Sequence, residues 1–577
     1  MHAGFPFQIF PEGLKMKQKR ELIHTDVLII GGGIAGCMAA IGAKEGGGVD
    51  ILILEKAEIT RSGDAGGGND HLLAHLNMGE EWDTDQAMRR YYTQLSQGLI
   101  DVEIGYQLYI RRIREIVDKL ESFGIQMRDP KTGQYIRTKS FGQPGPYFIN
   151  FKGKNIKPIL AKEVKKMGVR VLNRINVTNL LTHGKRVVGA MGFNVRNGAF
   201  YVVKSKATLL ATGDVVRLWP NSSGLPFNTW QSPFNNGAGH AMAFRAGAQL
   251  ANMELTVSTL IPKGFSAAGL NAFIGMGAFL KNSIGERYMK KYHPMAEGAP
   301  RNILVLGTYR EIMEGRGPCY VDCRHLSKQA MSHLTTNLLP VDKDTFMTFC
   351  EQKGLRLEKD LLEIELSEMQ VAGITGSVSG IVIDQKGKTT LDGLFAAGAC
   401  TVPSFAISGA LATGYSVGVD AAKSSLKISE WERHTERESQ EEIHSIYAPL
   451  HRKEGTNYKE FENKLRQIMG DYVGYIKTEK GLRTGLEKLN DLEKRMDHVR
   501  AENYHELMRT TEFKDLLLIG RLVATGALAR RESRMGLSHL RGDYPNQDDK
   551  NFHGSIILKK KNGEIKVTFK TATKQVA

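Results

Sequence analysis

At 577 residues, 41% of them hydrophobic and 24% charged, the chain has the balance of an ordinary globular protein and is too long for one hydrophobic core; about two to four domains are expected. A net charge of +16 points to an anionic partner (an acidic protein, an anionic substrate, nucleic acid or a membrane face) or to a basic surface with no dedicated partner. No Lys/Arg tract is interleaved with aromatics, no stretch of about eighteen residues is wholly apolar, and Met1–Arg20 lacks both a signal-peptide core and a twin arginine; no nucleic acid partner and no integral membrane span are expected, and the default location is cytoplasmic.

The elements follow in chain order. Residues 1–22 read as an N-terminal arm. Asp26–Ile30 is a short apolar run stopped by glycines, the pattern of a buried parallel strand. Ile34–Lys44 reads as a helix and Asp50–Leu54 as a second buried strand, completing a βαβ unit. Helical spacing recurs over Val102–Phe123 and Pro158–Lys166; Val169–Leu172, Val187–Phe193 and Thr208–Gly213 read as strands. Gly393–Gly398 repeats the strand-then-glycine pattern. Helical spacing resumes beyond Trp431 and runs to about Met496, with the charged stretch Glu430–Glu442 as a solvated face. Ser555–Lys570 reads as a β-hairpin around Asn562-Gly563. The expected class is α/β: a Rossmann-like domain (23–250 and 365–430), an inserted α+β domain (251–364), a C-terminal helical domain (431–548) and a β tail (549–577). The five cysteines are scattered and form no CxxC pair, so the chain carries no recognisable iron–sulfur or zinc ligand set. A sparse, odd set also fits a reducing compartment.

Gly31-Gly32-Gly33-Ile34-Ala35-Gly36 is a GxGxxG fingerprint placed after a strand and at the start of a helix, where a dinucleotide needs it. Gly31 permits the tight turn, Gly33 the approach of a pyrophosphate, and Gly36 close packing of helix on strand. The phosphates face the helix N-terminus and its free N–H groups, through Ile34 and Ala35. Glu55 ends the second strand, where a carboxylate accepts from ribose hydroxyls and repels a 2′-phosphate. The fingerprint does not by itself choose between FAD and NAD.

Several further segments resemble, in order, the succinate dehydrogenase/fumarate reductase flavoprotein superfamily. Arg61–Asn69 is similar to its glycine-rich flavin loop. Ala211-Thr212-Gly213, Asn236–Ala243 and Gly393–Gly398 resemble its later FAD contacts. Asn282–Met289 resembles the capping-domain "NxxGERFM", and Arg530–Arg534 with His539, Arg541 and Asp543–Pro545 resembles the C-terminal "RxESRGxHxRxDYP". Glu311–Pro318 and Ala211–Ser223 lean toward the adenylylsulfate reductase alpha subunit. The resemblance implies FAD, held by Gly31, Gly33, Ile34, Ala35, Gly36, Glu55, Lys56, Ser62, Gly63, Gly67, Gly68, Asn69, Val177, Ala211, Thr212, Gly213, Asn236, Gly398, Ala399 and Ser416. Family members with covalent flavin place a histidine directly after the serine matching Ser62; Gly63 stands here, so the FAD is expected to be non-covalent.

The substrate motifs depart from the family. "QFHPTG" becomes Thr256–Gly264 without histidine. Phe273–Leu280 has no basic residue where "TEGxRGEGG" carries arginine. Gly373–Gly380 lacks the "HYxMGG" histidine, and Gly393–Ala422 has no Lys, Arg or His, and so lacks the arginine before "LGGNSL". Holding two carboxylates needs cations, so a dicarboxylate is not the expected substrate. Adenylylsulfate chemistry implies an arginine near Lys263, and lysine does not replace a bidentate arginine.

The candidate catalytic residues are Arg301, matching the family's "SRDV" arginine, Lys263 and His71. Each also has a structural alternative; His71 and His75 fall at helical spacing. Asn69 and Trp219 are candidates to face the flavin. Tyr415, Ser377, Ser379, Ser404 and Ser408 suggest a neutral, hydroxyl-rich wall. Glu254 and His240 read as structural. The expected function is FAD-dependent reduction or dehydrogenation of a small organic substrate, with electrons exchanged through an iron–sulfur or ferredoxin-like protein. Sulfur-oxyanion chemistry of the adenylylsulfate reductase alpha type and a non-catalytic FAD electron relay are the alternatives.

Overall fold

The computed structural model describes residues 20–265, 270–342, 345–373, 376–431 and 436–572. Of the expected arm, residues 1–19 lie outside the described residues, and Arg20–Leu22 open strand β1. β1 (Arg20–Ile30) is longer than its apolar run because its first half alternates exposed and half-buried side chains before Val27–Ile30 become wholly buried. Helix α1 (Ile34–Gly47) follows, then β2 (Ile51–Glu55), buried throughout.

β1 is central to a seven-stranded sheet. It pairs in parallel with β2 on one side and with Phe200–Leu210 on the other. Arg170–Asn173 extends the β2 edge, and Leu394–Ala396 also pairs in parallel with Phe200–Leu210. Ile175–His183 and Arg186–Asn194 complete the sheet as antiparallel strands. α1 packs against the long helix Ala406–Ser425 so closely that a Cβ at Gly418 would lie 2.1 Å from the Ala39 carbonyl oxygen. Small residues on both helices allow that approach.

Between Leu260 and Leu366 the chain leaves this sheet and forms a four-stranded antiparallel one, Leu260–Pro262, Leu362–Leu366, Cys319–Asp322 and Phe279–Lys281. Helix Arg301–Glu311 packs on it. The C-terminal helices Tyr458–Tyr472, Glu479–Lys494 and Tyr504–Ala529 pack on one another. The hairpin Gly554–Lys561/Glu564–Thr571 turns at Asn562 (φ 51°) and Gly563 (φ 84°), both in the left-handed region that a two-residue turn requires. Leu558 pairs with Leu250, so the tail joins a five-stranded sheet and is not a free appendage.

Two expected helical features differ. Val102–Phe123 is two helices, Val102–Leu108 and Ile113–Ser122, parted by a tight turn at Ile110–Arg112. His71 lies in a short strand, His71–Leu73, not on a helix; pairing with Phe148–Asn150 overrides the i,i+4 spacing.

Candidate functional site

The carboxyl ends of the parallel strands converge. Ile30, Glu55, Leu210 and Ala396 end their strands at one edge, and the chain turns away at Gly31, Ala211 and Gly398 to leave a crevice there. Gly31 has φ 98°, and a Cβ on it would lie 2.4 Å from the Ala211 carbonyl oxygen. A Cβ on Gly36 would lie 1.9 Å from the Gly31 carbonyl oxygen, so glycine is required where helix meets turn. A Cβ on Gly33 would meet no protein atom within 4 Å. That open space lies at the N-terminus of α1, whose cap has no side-chain hydrogen bond and whose first N–H groups have no partner inside the helix.

The crevice holds two adjoining pockets with empty volumes of about 690 and 770 Å³, which share Gly31, Glu55, Gly63, Thr212 and Asn235. Gly33, Ile34, Ala35, Ala211, Gly213 and Ala399 line the first; Lys56, Ser62, Val177 and Asn236 line the second. Glu55 is fixed by backbone donors, with Gly32 N on Oε2 and Ala57 N on Oε1, both at 2.6 Å. Lys56 does not point into the pocket unengaged: its Nζ donates to Glu512 at 2.7 Å and to the Phe234 carbonyl at 2.6 Å. Ser62 Oγ donates to the Gly32 carbonyl at 3.3 Å. Two buried polar atoms in these walls, Thr212 Oγ1 and Asn236 Nδ2, have no protein partner. Unmatched donors beside an open helix N-terminus fit a ligand with phosphates and hydroxyls.

Other predicted residues stand outside the pocket lining. Asn69 donates its amide back to the His71 carbonyl at 2.6 Å. A Cβ on Gly68 would lie 2.7 Å from Lys154 Cα, a packing constraint, whereas Gly67 has open space. Gly398 packs against Ala35, and its N–H donates to Thr413 Oγ1 at 3.0 Å. Ser416 donates to the Leu108 carbonyl at 3.3 Å. Trp219 is buried, with its indole N–H on the Val473 carbonyl at 2.9 Å.

Sequence reasoning missed a carboxylate cluster in the wall. Asp64 lines the first pocket, and Asn235 Nδ2 donates to it and to Asp214. Burial pushes Asp64 up to about 6 and Asp214 well above the carboxylate range, with Asp64 itself adding repulsion at Asp214. Burial also raises Glu368, next to them. The one-residue step from Ala-Thr-Gly to Asp214 was the only signal, and no sequence rule gives it meaning.

A smaller pocket, empty volume about 440 Å³, opens where the inserted region meets the short paired strands His71–Leu73 and Phe148–Asn150. Leu73, Tyr91, Leu95, Phe141, Phe148 and Pro300 give it an apolar, largely aromatic wall, and among the described residues Arg301 is the one cation lining it. The Arg301 guanidinium carbon lies 4.3 Å from the Phe141 ring centre and 5.8 Å from that of Trp230. Its Nη1 donates to Thr259 Oγ1 at 3.2 Å. No carboxylate among the described residues pairs with it, and desolvation lowers its pKa to about 10. His71 lies near this pocket, its ring centre 4.2 Å from that of Phe148 and tilted 54° to it, with Nδ1 2.7 Å from Asp70 Oδ2. His75 is buried on Asp85 at 2.8 Å.

Lys263 is elsewhere. It is exposed, and its Nζ donates to Glu363 at 2.6 Å; that carboxylate raises its pKa. Pairing of Leu260–Pro262 with Leu362–Leu366 carries Lys263 to the edge of the inserted sheet, away from Arg301. The hydroxyl wall is also partial. Tyr415 turns to Glu45 at 2.5 Å, and Ser408 accepts from Leu73 N at 2.8 Å. Ser377 and Ser379 bond each other at 3.2 Å, while Ser404 Oγ is buried without a partner. Residues 374–375 of the "HYxMGG"-like stretch lie outside the described residues.

A family profile described as an FAD binding domain matches residues 26–412, and one described as the fumarate reductase flavoprotein C-terminal region matches residues 462–577. An FAD-dependent oxidoreductase of Methanocaldococcus jannaschii is 27% identical over 93% of this chain and 97% of its own. One subunit of the fumarate reductase (CoM/CoB) of Methanothermobacter marburgensis is also 27% identical, over 94% and 98%. Adenylylsulfate reductase of Archaeoglobus fulgidus superposes with a TM-score of 0.87 at 24% identity, over 96% of both chains.

Proposed function

This chain belongs to the FAD binding domain family and carries the fumarate reductase flavoprotein C-terminal region, and from that premise we propose that it reduces or dehydrogenates a small organic substrate other than a dicarboxylate. It is an FAD-dependent oxidoreductase of the fumarate reductase/succinate dehydrogenase superfamily. Bound FAD supplies two-electron, hydride-equivalent chemistry. The turn Gly31–Gly36 and the free N–H groups of α1 would hold the pyrophosphate, and Glu55 the ribose hydroxyls. Gly63 offers no side chain for a covalent link, which supports non-covalent binding.

Arg301 carries the substrate reading. One desolvated guanidinium, with no carboxylate ion pair among the described residues and an aromatic surround, suits a substrate with one anionic or strongly polar group on an apolar frame. With its pKa at about 10 it stays protonated at neutral pH, so it orients the substrate by donated hydrogen bonds and neutralises charge developing there. His71, held by Asp70, is the neighbouring proton-transfer candidate. The scattered cysteines leave electron supply to a separate iron–sulfur or ferredoxin-like protein, and the +16 charge favours an acidic one. The test is anaerobic reoxidation of dithionite-reduced protein by a panel of alkenes. Monocarboxylate or neutral alkenes should reoxidise the flavin, and Arg301→Ala should slow this about 10²–10³-fold. Fumarate as the preferred oxidant would overturn the proposal.

A second reading, sulfur-oxyanion chemistry, draws support from the superposition on adenylylsulfate reductase, which concerns the fold alone. The surface position of Lys263 weighs against it. Bleaching of the flavin band by AMP plus sulfite would favour it. Flavin turnover only with a co-purified partner, and with no small oxidant, would favour an electron-relay role.

A further inference from the structure

Behind the groove wall that Asp64 lines lies a second carboxylate, and one amide joins the two. Asn235 Nδ2 is 2.9 and 3.0 Å from the Asp64 carboxylate oxygens and 2.9 Å from Asp214 Oδ1. The Ser232 N–H donates to Asp64 at 2.8 Å, and Gln370 Nε2 donates to Asp214 Oδ2 at 3.0 Å. The backbone is shaped around this contact. At Gly213 (φ 76°) a Cβ would lie 2.6 Å from Asn235 Nδ2, and at Gly373 (φ 93°) one would lie 2.2 Å from Asp214 Oδ2. Gln370 is wholly buried, yet its Oε1 has no donor, leaving an unused acceptor beside Asp214.

The surroundings do not neutralise this pair. Among the described residues no Lys, Arg or His forms an ion pair with Asp64, Asp214 or the adjacent Glu368, whose Oε1 accepts from Trp230 N at 2.9 Å. Every group hydrogen-bonded to the pair is a neutral donor. Of the other charged residues lining the groove, Glu55 accepts from backbone, Lys56 is on Glu512, and Arg61 Nη1 donates to the Gly66 and Lys154 carbonyls. Two buried carboxylates bridged by one amide cannot both be ionised cheaply, so they retain a proton between them.

We propose that Asp64 and Asp214, joined through Asn235, form a proton-holding pair that takes up one proton from solvent when the cofactor in the adjoining groove is reduced. This rests on the reading that the groove holds FAD beside Asp64. The donor's two electrons and one proton from water go to the cofactor. A second proton passes from water to a carboxylate oxygen of the pair, forming an O–H bond. The negative charge that reduction adds to the groove raises the affinity of the pair for that proton. Burial already places Asp64 at about 6, so above that pH the pair has room for it. Asp64 and Asp214 are thus positioning residues that couple reduction to pH.

The experiment is a spectroelectrochemical titration of the holoprotein, with dithionite as reductant, from pH 5 to 9. From pH 7 to 8 the wild type should take up one more proton per two electrons than Asp64→Asn; at pH 5, where the pair is already protonated, the two should agree. Asp214→Asn, which keeps Asp64 as the acceptor, should retain that extra proton. Flavin content and melting temperature report whether each variant is folded and loaded. A loaded, folded Asp64→Asn with the wild-type proton count at every pH, or a loaded, folded Asp214→Asn that loses the extra proton, would overturn the proposal. A folded wild type that binds no FAD would overturn the cofactor reading beneath it.

Discussion

Gly33 and Gly36 stand on one turn and exclude side chains for opposite reasons. At Gly36 the obstacle is the chain itself, the Gly31 carbonyl 1.9 Å from a Cβ. Gly36→Ala should destabilise the apoprotein by about 1–3 kcal/mol, read from urea melts. At Gly33 the protein leaves the space free. Gly33→Val should leave apoprotein stability unchanged and weaken FAD binding by at least about tenfold, or 1.4 kcal/mol, measured by fluorescence titration. Equal effects at both positions would show that the open space is not the phosphate site. Glu512 is the opposite kind of residue, buried and needed as a charge. Lys56 at 2.7 Å and Arg217 at 2.9 Å surround it, Arg509 joins them, and these cations hold its carboxyl far below the usual range. Glu512→Gln would remove the carboxylate that Lys56, Arg217 and Arg509 share, leaving Arg217 with Glu462 alone, and should cost about 3–5 kcal/mol. Asp64 has the reverse sign: burial raises its folded pKa, so stability falls as pH rises through about 6. Asp64→Asn should therefore raise the melting temperature of the apoprotein at pH 8 more than at pH 4.

At the level of elements, β1, α1 and β2 were legible because their signals are local: an apolar run, glycines, a small-residue helix and a second apolar run. The hairpin was legible from Asn562-Gly563, although its pairing with Leu250 was not, since nothing in a hairpin sequence names the strand it will join. The groove lining from Gly31 to Glu55 also followed from the pattern. The i,i+4 spacing of His71 and His75 marks no helix, because such spacing arises by chance in short strands. Lys263 stands apart from Arg301 because its position depends on antiparallel register with Glu363, a contact 100 residues away. The Asp64–Asn235–Asp214 cluster was invisible for the same reason. Two elements give direct tests. Leu558, fully buried against the Leu250 strand, should cost about 2–5 kcal/mol when changed to Ala. At the end of helix Arg301–Glu311, hydrogen bonds from Arg316, Asn282 and Tyr292 lower Glu311 from 4.5 to about 2. A depressed acid stabilises the fold above its unfolded value, and that contribution is lost as pH falls toward 2. Wild type should therefore lose stability between pH 4.5 and 2 more steeply than Glu311→Gln.

For the whole molecule, the +16 charge bears on association and not on fold. If an acidic electron-transfer protein supplies the flavin, its second-order rate of flavin reduction should fall about tenfold or more as salt is raised from 20 to 500 mM, because screening shortens the reach of the field. A salt-independent rate would argue for a neutral partner. The seven-stranded sheet has another consequence, in the order of assembly. The walls of the groove follow Ile30, Leu210 and Ala396, strand ends far apart in sequence that meet only when Leu394–Ala396 joins Phe200–Leu210. Until that late, long-range pairing forms there is no complete receptacle, so FAD cannot template the early stages of folding. Loading should behave as a final locking step: apoprotein accumulates first, and cofactor then slows unfolding without speeding collapse.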